Sequence, residues 1–89
     1  MEKINIVKCV RTCTSCPSQW DMYDDQGIRY YVRYRWGNLT VSYEPLGELL
    51  FEKICGHEFD GYMSEDSLVL NIGNMFSFTD CVWLVGRYE

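Results

Sequence analysis

Arginine and tyrosine side chains alternate over residues 28–36, the part of the chain best suited to bind a ligand. Successive side chains of a β-strand point to opposite faces, and the residues that would share one face are Arg29, Tyr31, Arg33 and Arg35. Guanidinium groups spaced about 6.6–7 Å apart along a strand can hold phosphate or carboxylate groups, while a ring stacks on the tyrosine. The alternative is a solvated face whose arginines pair with carboxylates such as Asp21 and Glu44, at about 0–1 kcal/mol per pair.

Four residues in two short motifs could bind a metal ion. Cys13 and Cys16 form a C-x2-C motif, and Cys55 and His57 form a C-x-H motif. Zinc binds three thiolates and one imidazole tetrahedrally, so these residues predict a zinc site. The second motif is too short for a zinc knuckle, so the alternative is a set of reduced structural thiols. The remaining two cysteines lie in strand-like segments, which is typical of buried thiols.

The acidic residues lie mainly in predicted loops and helix starts, and are Asp24, Asp25, Glu58, Asp60, Glu65, Asp66 and Asp80. They could serve only solubility and helix capping, or they could form a negative patch that docks on a basic protein. We assign Asp24 and Asp25 to the predicted binding surface. His57 is the only histidine, and no motif places a nucleophile or an acid beside it. We therefore predict that the protein is not an enzyme.

Length and charge limit the classes of function. We expect 89 residues to form a single domain, 1–89, with little room for an active-site cavity. The net charge of -5 disfavours direct binding of nucleic acid and favours a basic protein partner, for example one that itself binds nucleic acid. No apolar run is long enough to span a membrane, and the first residues lack the apolar core of a secretory signal, so we expect a cytoplasmic location.

The elements that carry the arginines are predicted as an antiparallel meander over residues 19–43, with strands at 19–23, 28–36 and 39–43. A left-handed Gly27 in the first turn pairs Trp20 with Val32 and Met22 with Tyr30. A two-residue loop of Gly37 and Asn38 gives the pairs Trp36–Leu39, Tyr34–Val41 and Val32–Tyr43. Both turns place the same face of the sheet in the core.

The rest of the chain mixes helix and strand signals. Residues 3–10 and 81–85 predict strands, and 11–18 predicts a loop. In residues 46–55 the leucines have helical spacing, although a strand is the alternative. Ser64 is typical of a helix N-cap and Gly73 of a helix end. We therefore predict an α+β fold: an antiparallel sheet of four or five strands with one or two short helices on one face.

Three segments resemble a group of small uncharacterised phage and actinobacterial proteins, over about half of the chain. They are residues 16–20 (Cys-Pro-Ser-Gln-Trp), 31–39 (Tyr-Val-Arg-Tyr-Arg-Trp-Gly-Asn-Leu) and 59–64 (Phe-Asp-Gly-Tyr-Met-Ser). The resemblance implies no catalytic activity. It implies a phage or mobile-element setting, in which small acidic proteins inhibit host factors or defence systems.

We therefore expect a phage-encoded, anti-defence inhibitor that binds a host or defence protein, for example of the CRISPR type. The first alternative is a small-ligand or nucleotide binder that uses the arginine face. The second alternative is a zinc-stabilised module. An open sheet edge with aromatic side chains could also pair with a second copy of the chain.

Overall fold

The computed structural model describes residues 3–13, 18–43, 46–56 and 61–86. Its elements are β1 (Ile4–Cys13), β2 (Ser18–Asp24), β3 (Arg29–Arg35), β4 (Asn38–Tyr43), β5 (Glu48–Ile54), α1 (Glu65–Ile72), β6 (Phe76–Ser77) and β7 (Val82–Val85). Strands hold 58% of the described residues and the single described helix holds 11%. The predicted α+β class is therefore wrong, because most of the described chain is β-sheet.

The predicted pairing of β2 with β3 is confirmed in register. Trp20 lies opposite Val32 and Met22 lies opposite Tyr30. Gly27 has φ +82, the left-handed conformation that the three-residue loop requires. All four paired side chains are buried, so this turn places the apolar face of the meander in the core.

The predicted register of the β3–β4 hairpin is wrong by one pair. Arg35 pairs with Asn38, and Tyr34 lies opposite Leu39. The turn residues are therefore Trp36 and Gly37, which both have positive φ, 55° and 73°, as a type I′ turn requires. Trp36 consequently leaves the core and is 63% exposed. The buried face is otherwise as predicted, because the slip shifts partners by two residues along β4 and preserves the alternation of faces.

The segment 46–55 contains the edge strand β5 (Glu48–Ile54), which resolves the choice between helix and strand. Gly47 has φ +65 in the turn after β4, and β5 then pairs antiparallel with β4. The four side chains with helical spacing are all exposed, at Leu46, Leu49, Leu50 and Ile54. A helix here would have had no core to cover, whereas β5 gains the backbone hydrogen bonds of a ladder.

At the β1 end of the sheet the strands pair in parallel, whereas the predicted sheet was entirely antiparallel. The strand order is β5-β4-β3-β2-β1-β6, and β7 also pairs with β1. β1 is antiparallel to β2 but parallel to both β6 and β7. The strand predicted at 3–10 continues to Cys13, so the first three residues of the predicted loop belong to β1. Residues 14–17 of that loop lie outside the described part.

Helix α1 lies on the buried face of the sheet. Ser64 is its N-cap, as predicted, and the Ser64 hydroxyl accepts a hydrogen bond from the Ser67 backbone N–H at 3.2 Å. Leu68 and Ile72 are fully buried against the sheet, and Phe76 of β6 completes this side of the core. The core therefore lies between α1 and the curled sheet, and the arginine face of β3 lies outside it.

Candidate functional site

The residues of the predicted arginine face differ in their surroundings. Arg29 Nη1 lies 3.8 Å from Asp21 Oδ2, so this arginine follows the solvated ion-pair alternative. Tyr31 lies between Asp21 on β2 and Ser42 on β4 and is half-buried. Within the described residues no carboxylate pairs with Arg33 or Arg35. The unneutralised charge of the face is therefore concentrated at its hairpin end.

A small concavity of about 220 Å³ lies at this hairpin end and is lined by Arg33, Arg35, Trp36, Asn38 and Thr40. The Arg35 guanidinium lies 4.2 Å from the centre of the Trp36 ring, in cation–π contact. Trp36 is the one described non-glycine residue with positive φ, a conformation that is unfavourable for a bulky side chain. The concavity, defined by these five residues, is called the hairpin pocket below.

Two polar atoms at the hairpin pocket are buried without a hydrogen-bond partner among the described residues: Arg33 Nε and Asn38 Oδ1. The amide of Asn38 is oriented by its other end, since its Nδ2 donates to Glu52 Oε2 at 2.8 Å. One group is a donor and the other an acceptor. A bound group that satisfied both would need an acceptor oxygen and a donor hydrogen.

The two acidic residues assigned to the binding surface differ in environment. Asp24 is buried, and its Oδ1 accepts hydrogen bonds from the backbone N–H groups of Gln26 and Ile28, both at 2.9 Å. Its Oδ2 accepts from the Tyr30 hydroxyl at 2.8 Å. Burial is the larger cause that raises the pKa of Tyr30, and the hydrogen bond to Asp24 raises it further. Asp24 thus holds the β2–β3 turn together, whereas Asp25 is exposed.

The proposed zinc ligands are only partly described. Cys13 ends β1 and Cys55 follows β5, while Cys16 and His57 lie outside the described residues. Among the residues that are described, no group of three or more His, Cys, Asp or Glu side chains is placed to hold a metal ion. The four-ligand site stays a prediction. Burial raises the pKa of the Cys55 thiol, which disfavours the thiolate that a metal would bind.

A second and larger surface feature lies at the opposite edge of the sheet. It is a groove of about 530 Å³, lined by Glu65, Asp66, Val69, Leu70, Phe78 and Trp83. The Trp83 ring of β7 stacks on Phe78 with a centroid distance of 5.3 Å. Leu70 on α1 is 84% exposed. This surface, defined by the six lining residues, is called the edge groove below.

The edge strand β7 is apolar along its whole length. Its four residues, Val82, Trp83, Leu84 and Val85, all have exposed side chains. One edge of β7 pairs with β1, and no described strand occupies the other edge. Edge strands are normally protected by charges, proline or bulges, because their free backbone groups can pair with another chain. β7 has no charged residue or proline.

One wall of the edge groove is fixed by an ion pair between the buried Arg11 and the half-buried Glu65. Arg11 is 4% exposed, and its Nε donates to Glu65 Oε2 at 2.7 Å. The guanidinium also donates to Ser18 Oγ and to the Met63 carbonyl, while Trp20 Nε1 donates to the same Glu65 oxygen at 3.2 Å. The hydrogen bond from Arg11 lowers the pKa of Glu65, against the opposing effect of burial. This network ties the start of α1 to the sheet.

Arg33 and Arg35 of the hairpin pocket were named from the sequence, and Glu65 and Asp66 of the edge groove were named as acidic residues. The exposed turn at Trp36, the exposed Leu70 and the apolar edge of β7 were missed. The signal for β7 was the run of four successive apolar residues, which lacks the alternation of a half-buried strand. The signal for Leu70 was its position in a run of three apolar residues, too wide for one buried helix face. The signal for Trp36 was its place before Gly37, since the second residue of a type I′ turn favours glycine.

None of the described helices is long and apolar enough to cross a membrane. Comparison of the chain with protein families, with characterised proteins and with solved structures gave no significant match.

Proposed function

We propose that this protein is a non-enzymatic binding domain whose β7 edge receives an extended segment of a partner protein. The observation that carries the proposal is the apolar, unprotected edge of β7 next to the edge groove. Strand addition to such an edge is a common mode of peptide recognition, since the backbone supplies hydrogen bonds and alternate side chains supply specificity.

A segment paired with β7 would make different contacts on the two faces of the sheet. Trp83 pairs with the buried Cys9 and lines the edge groove, so it points to the side that carries α1. Val82 and Leu84 alternate with it and point to the opposite face. A bound strand would therefore place every second side chain in the edge groove, against Leu70 and Trp83, and the others beside Leu84. Both faces favour apolar side chains.

The charge at the edge groove indicates which residues would flank the apolar side chains of the partner segment. The charge of Glu65 is neutralised by Arg11. Asp66 is exposed and has no ion pair within the described residues. The chain as a whole has a net charge of -5. A lysine or arginine in the partner segment, near Asp66, would complement this rim and speed the encounter. The proposed partner is thus a basic protein with an extended apolar segment.

The resemblance to small phage proteins implies a biological role for this binding. In that role the domain would occupy a host or defence protein and thereby inhibit it. The proposal of binding does not depend on that role and can be tested by itself.

The test uses β7 variants as bait. Tagged wild type, Leu84→Lys and Leu46→Lys are used to capture a partner, and the affinity of the purified pair is then measured by calorimetry. Leu46 is the matched control, because it is 72% exposed in the β4–β5 turn, at the other edge of the sheet. We expect Leu84→Lys to weaken binding by about tenfold or more and Leu46→Lys to leave it unchanged.

Two results would overturn the proposal. One is equal binding by wild type and Leu84→Lys, with circular dichroism showing that both are folded. The other is a wild-type dimer that Leu84→Lys converts to a monomer in sedimentation, because a second copy would then occupy the β7 edge.

A further inference from the structure

The geometry points to an oxyanion site in the hairpin pocket, and we propose that its ligand is a phosphate group that retains one proton. This site is separate from the proposed protein-binding edge: the hairpin pocket lies on β3 and β4, whereas β7 pairs with β1. Neither proposal depends on the other.

The positive charge of the site comes from two arginines on one face of β3. Arg33 and Arg35 are two residues apart, so their side chains leave the same face about 6.6–7 Å apart. Neither has a carboxylate partner among the described residues, in contrast to Arg29. Guanidinium groups bind phosphate and carboxylate through paired N–H donors. Two such groups around one concavity can hold one oxyanion between them.

Pre-organisation comes from the turn. The Trp36 ring holds the Arg35 guanidinium in cation–π contact, so less side-chain freedom is lost when a ligand binds. Trp36 is 63% exposed, so it contributes little to the core. Its positive φ costs folding free energy, and its exposed ring makes no contact that the core needs. A bulky residue in this conformation is better explained by contact with a ligand than by stability.

The choice of a protonated phosphate follows from the two unsatisfied atoms. Arg33 Nε is a donor without an acceptor, and Asn38 Oδ1 is an acceptor without a donor. Buried groups in this state cost free energy that a suitable ligand recovers. Hydrogen phosphate carries both acceptor oxygens and one O–H donor, whereas a simple carboxylate carries only acceptors. Both atoms are covered in the free protein, so the Arg33 side chain turns toward the opening when the ligand enters.

Glu52 sets the strength of the site. Its carboxylate accepts a hydrogen bond from Asn38 Nδ2 and thereby aims Oδ1 away from itself. The same carboxylate repels an anion in the hairpin pocket. A glutamine at position 52 would keep an acceptor for Asn38 and remove the repulsion. We expect Glu52→Gln to tighten phosphate binding by about threefold, from the interaction of unit charges about 7 Å apart in water.

The test is a titration with inorganic phosphate at constant ionic strength, followed by NMR of the Arg33 Nε–H and Trp36 indole N–H signals. We expect saturable shifts, a dissociation constant raised by about tenfold or more in Arg33→Gln, and tighter binding in Glu52→Gln. Arg29→Gln is the matched control with the same change of charge, and it should bind phosphate as wild type does. Adenosine monophosphate, titrated below its second pKa of about 6 so that its phosphate group keeps one proton, distinguishes the sources of the phosphate. Tighter binding than inorganic phosphate at the same pH indicates a nucleotide, and equal binding indicates a phosphate group alone.

Three results would overturn the proposal. The first is a shift that rises linearly without saturation, which indicates screening only. The second is equal weakening by Arg29→Gln and Arg33→Gln, which indicates general attraction to the sheet face. The third is acetate binding as tightly as phosphate, which removes the role of the donor hydrogen. The Leu84→Lys variant should bind phosphate normally, so failure of the protein-binding proposal leaves this test intact.

Discussion

Replacement of Glu65 by glutamine should destabilise the protein far more than removal of the neighbouring charge at Asp66. Glu65 accepts two hydrogen bonds from Arg11 and one from Trp20. Arg11 is buried, so the loss of the carboxylate leaves a guanidinium charge in the core without a counter-charge. The perturbation therefore acts on the contact that fixes α1 to the sheet.

The magnitude follows from burial on the two sides of the pair. Removal of one partner from a buried ion pair costs about 3–5 kcal/mol. The Glu65 side chain is 37% exposed, so water screens part of the interaction. Glutamine also keeps an oxygen that can accept from Arg11. We therefore expect a loss of about 2 kcal/mol in the free energy of unfolding, which lowers Tm by about 8–16 °C in a domain of this size.

Urea denaturation followed by circular dichroism measures this loss. Asp66→Asn is the control, since it removes the same charge from the same turn of α1 and should cost only about 0.3–1 kcal/mol through the helix dipole. A double-mutant cycle with Arg11→Met isolates the coupling between the two side chains. If Glu65→Gln is no more destabilised than Asp66→Asn, the buried network does not hold the helix in place and this reasoning fails.

The pKa of Glu65 is lowered in the folded protein, so Glu65 stabilises the fold above the ordinary value of 4.5, and this stabilisation is lost as the pH falls below it. The difference in Tm between wild type and Glu65→Gln should therefore shrink in acid. A constant difference would contradict this. Burial raises the pKa of the Cys9 thiol, so N-ethylmaleimide should label Cys9 only after unfolding. Equal labelling of Cys9 in the native protein and in urea, measured by peptide mass mapping, would refute this. Trp36→Asn relieves the cost of a left-handed backbone, about 1–2 kcal/mol, and loses a cation–π contact of about 0.5–1 kcal/mol. The free energy of unfolding should therefore rise by about 0.5–1 kcal/mol. A clear fall in this free energy, measured by urea denaturation, would count against the strained turn.

Local signals in the sequence were sufficient for the centre of the sheet. Gly27 determined the β2–β3 register because only one position of a bulged three-residue loop requires a left-handed residue. The pattern of β3 determined which side is buried, and that assignment survived the slip of the next hairpin. Ser64 identified the start of α1 for the same reason, since a cap depends on contacts within one turn.

The remaining features depend on contacts between distant parts of the chain. Nothing near Arg11 indicates that it pairs with Glu65, 54 residues away. The parallel pairing of β7 with β1 likewise joins the two ends of the described chain. The helical spacing in residues 46–55 was misleading because a helix gains stability from a face that it can bury. The exposure of Trp36 was missed because it depends on the register of the β3–β4 hairpin, in which Arg35 rather than Trp36 forms the last pair.

Hydrogen exchange of β7 in a complex with the captured partner shows whether the partner adds a strand to this edge. The Gly86 N–H donates to the Arg11 carbonyl of β1, so the alternate amides of Trp83 and Val85 face the free edge of β7. We predict that these two amides exchange more slowly in the complex than in the free protein, because the added strand would accept their hydrogen bonds. The amides of the β3–β4 hairpin should keep the rates of the free protein. Protection confined to the hairpin, with unchanged exchange in β7, would contradict the account.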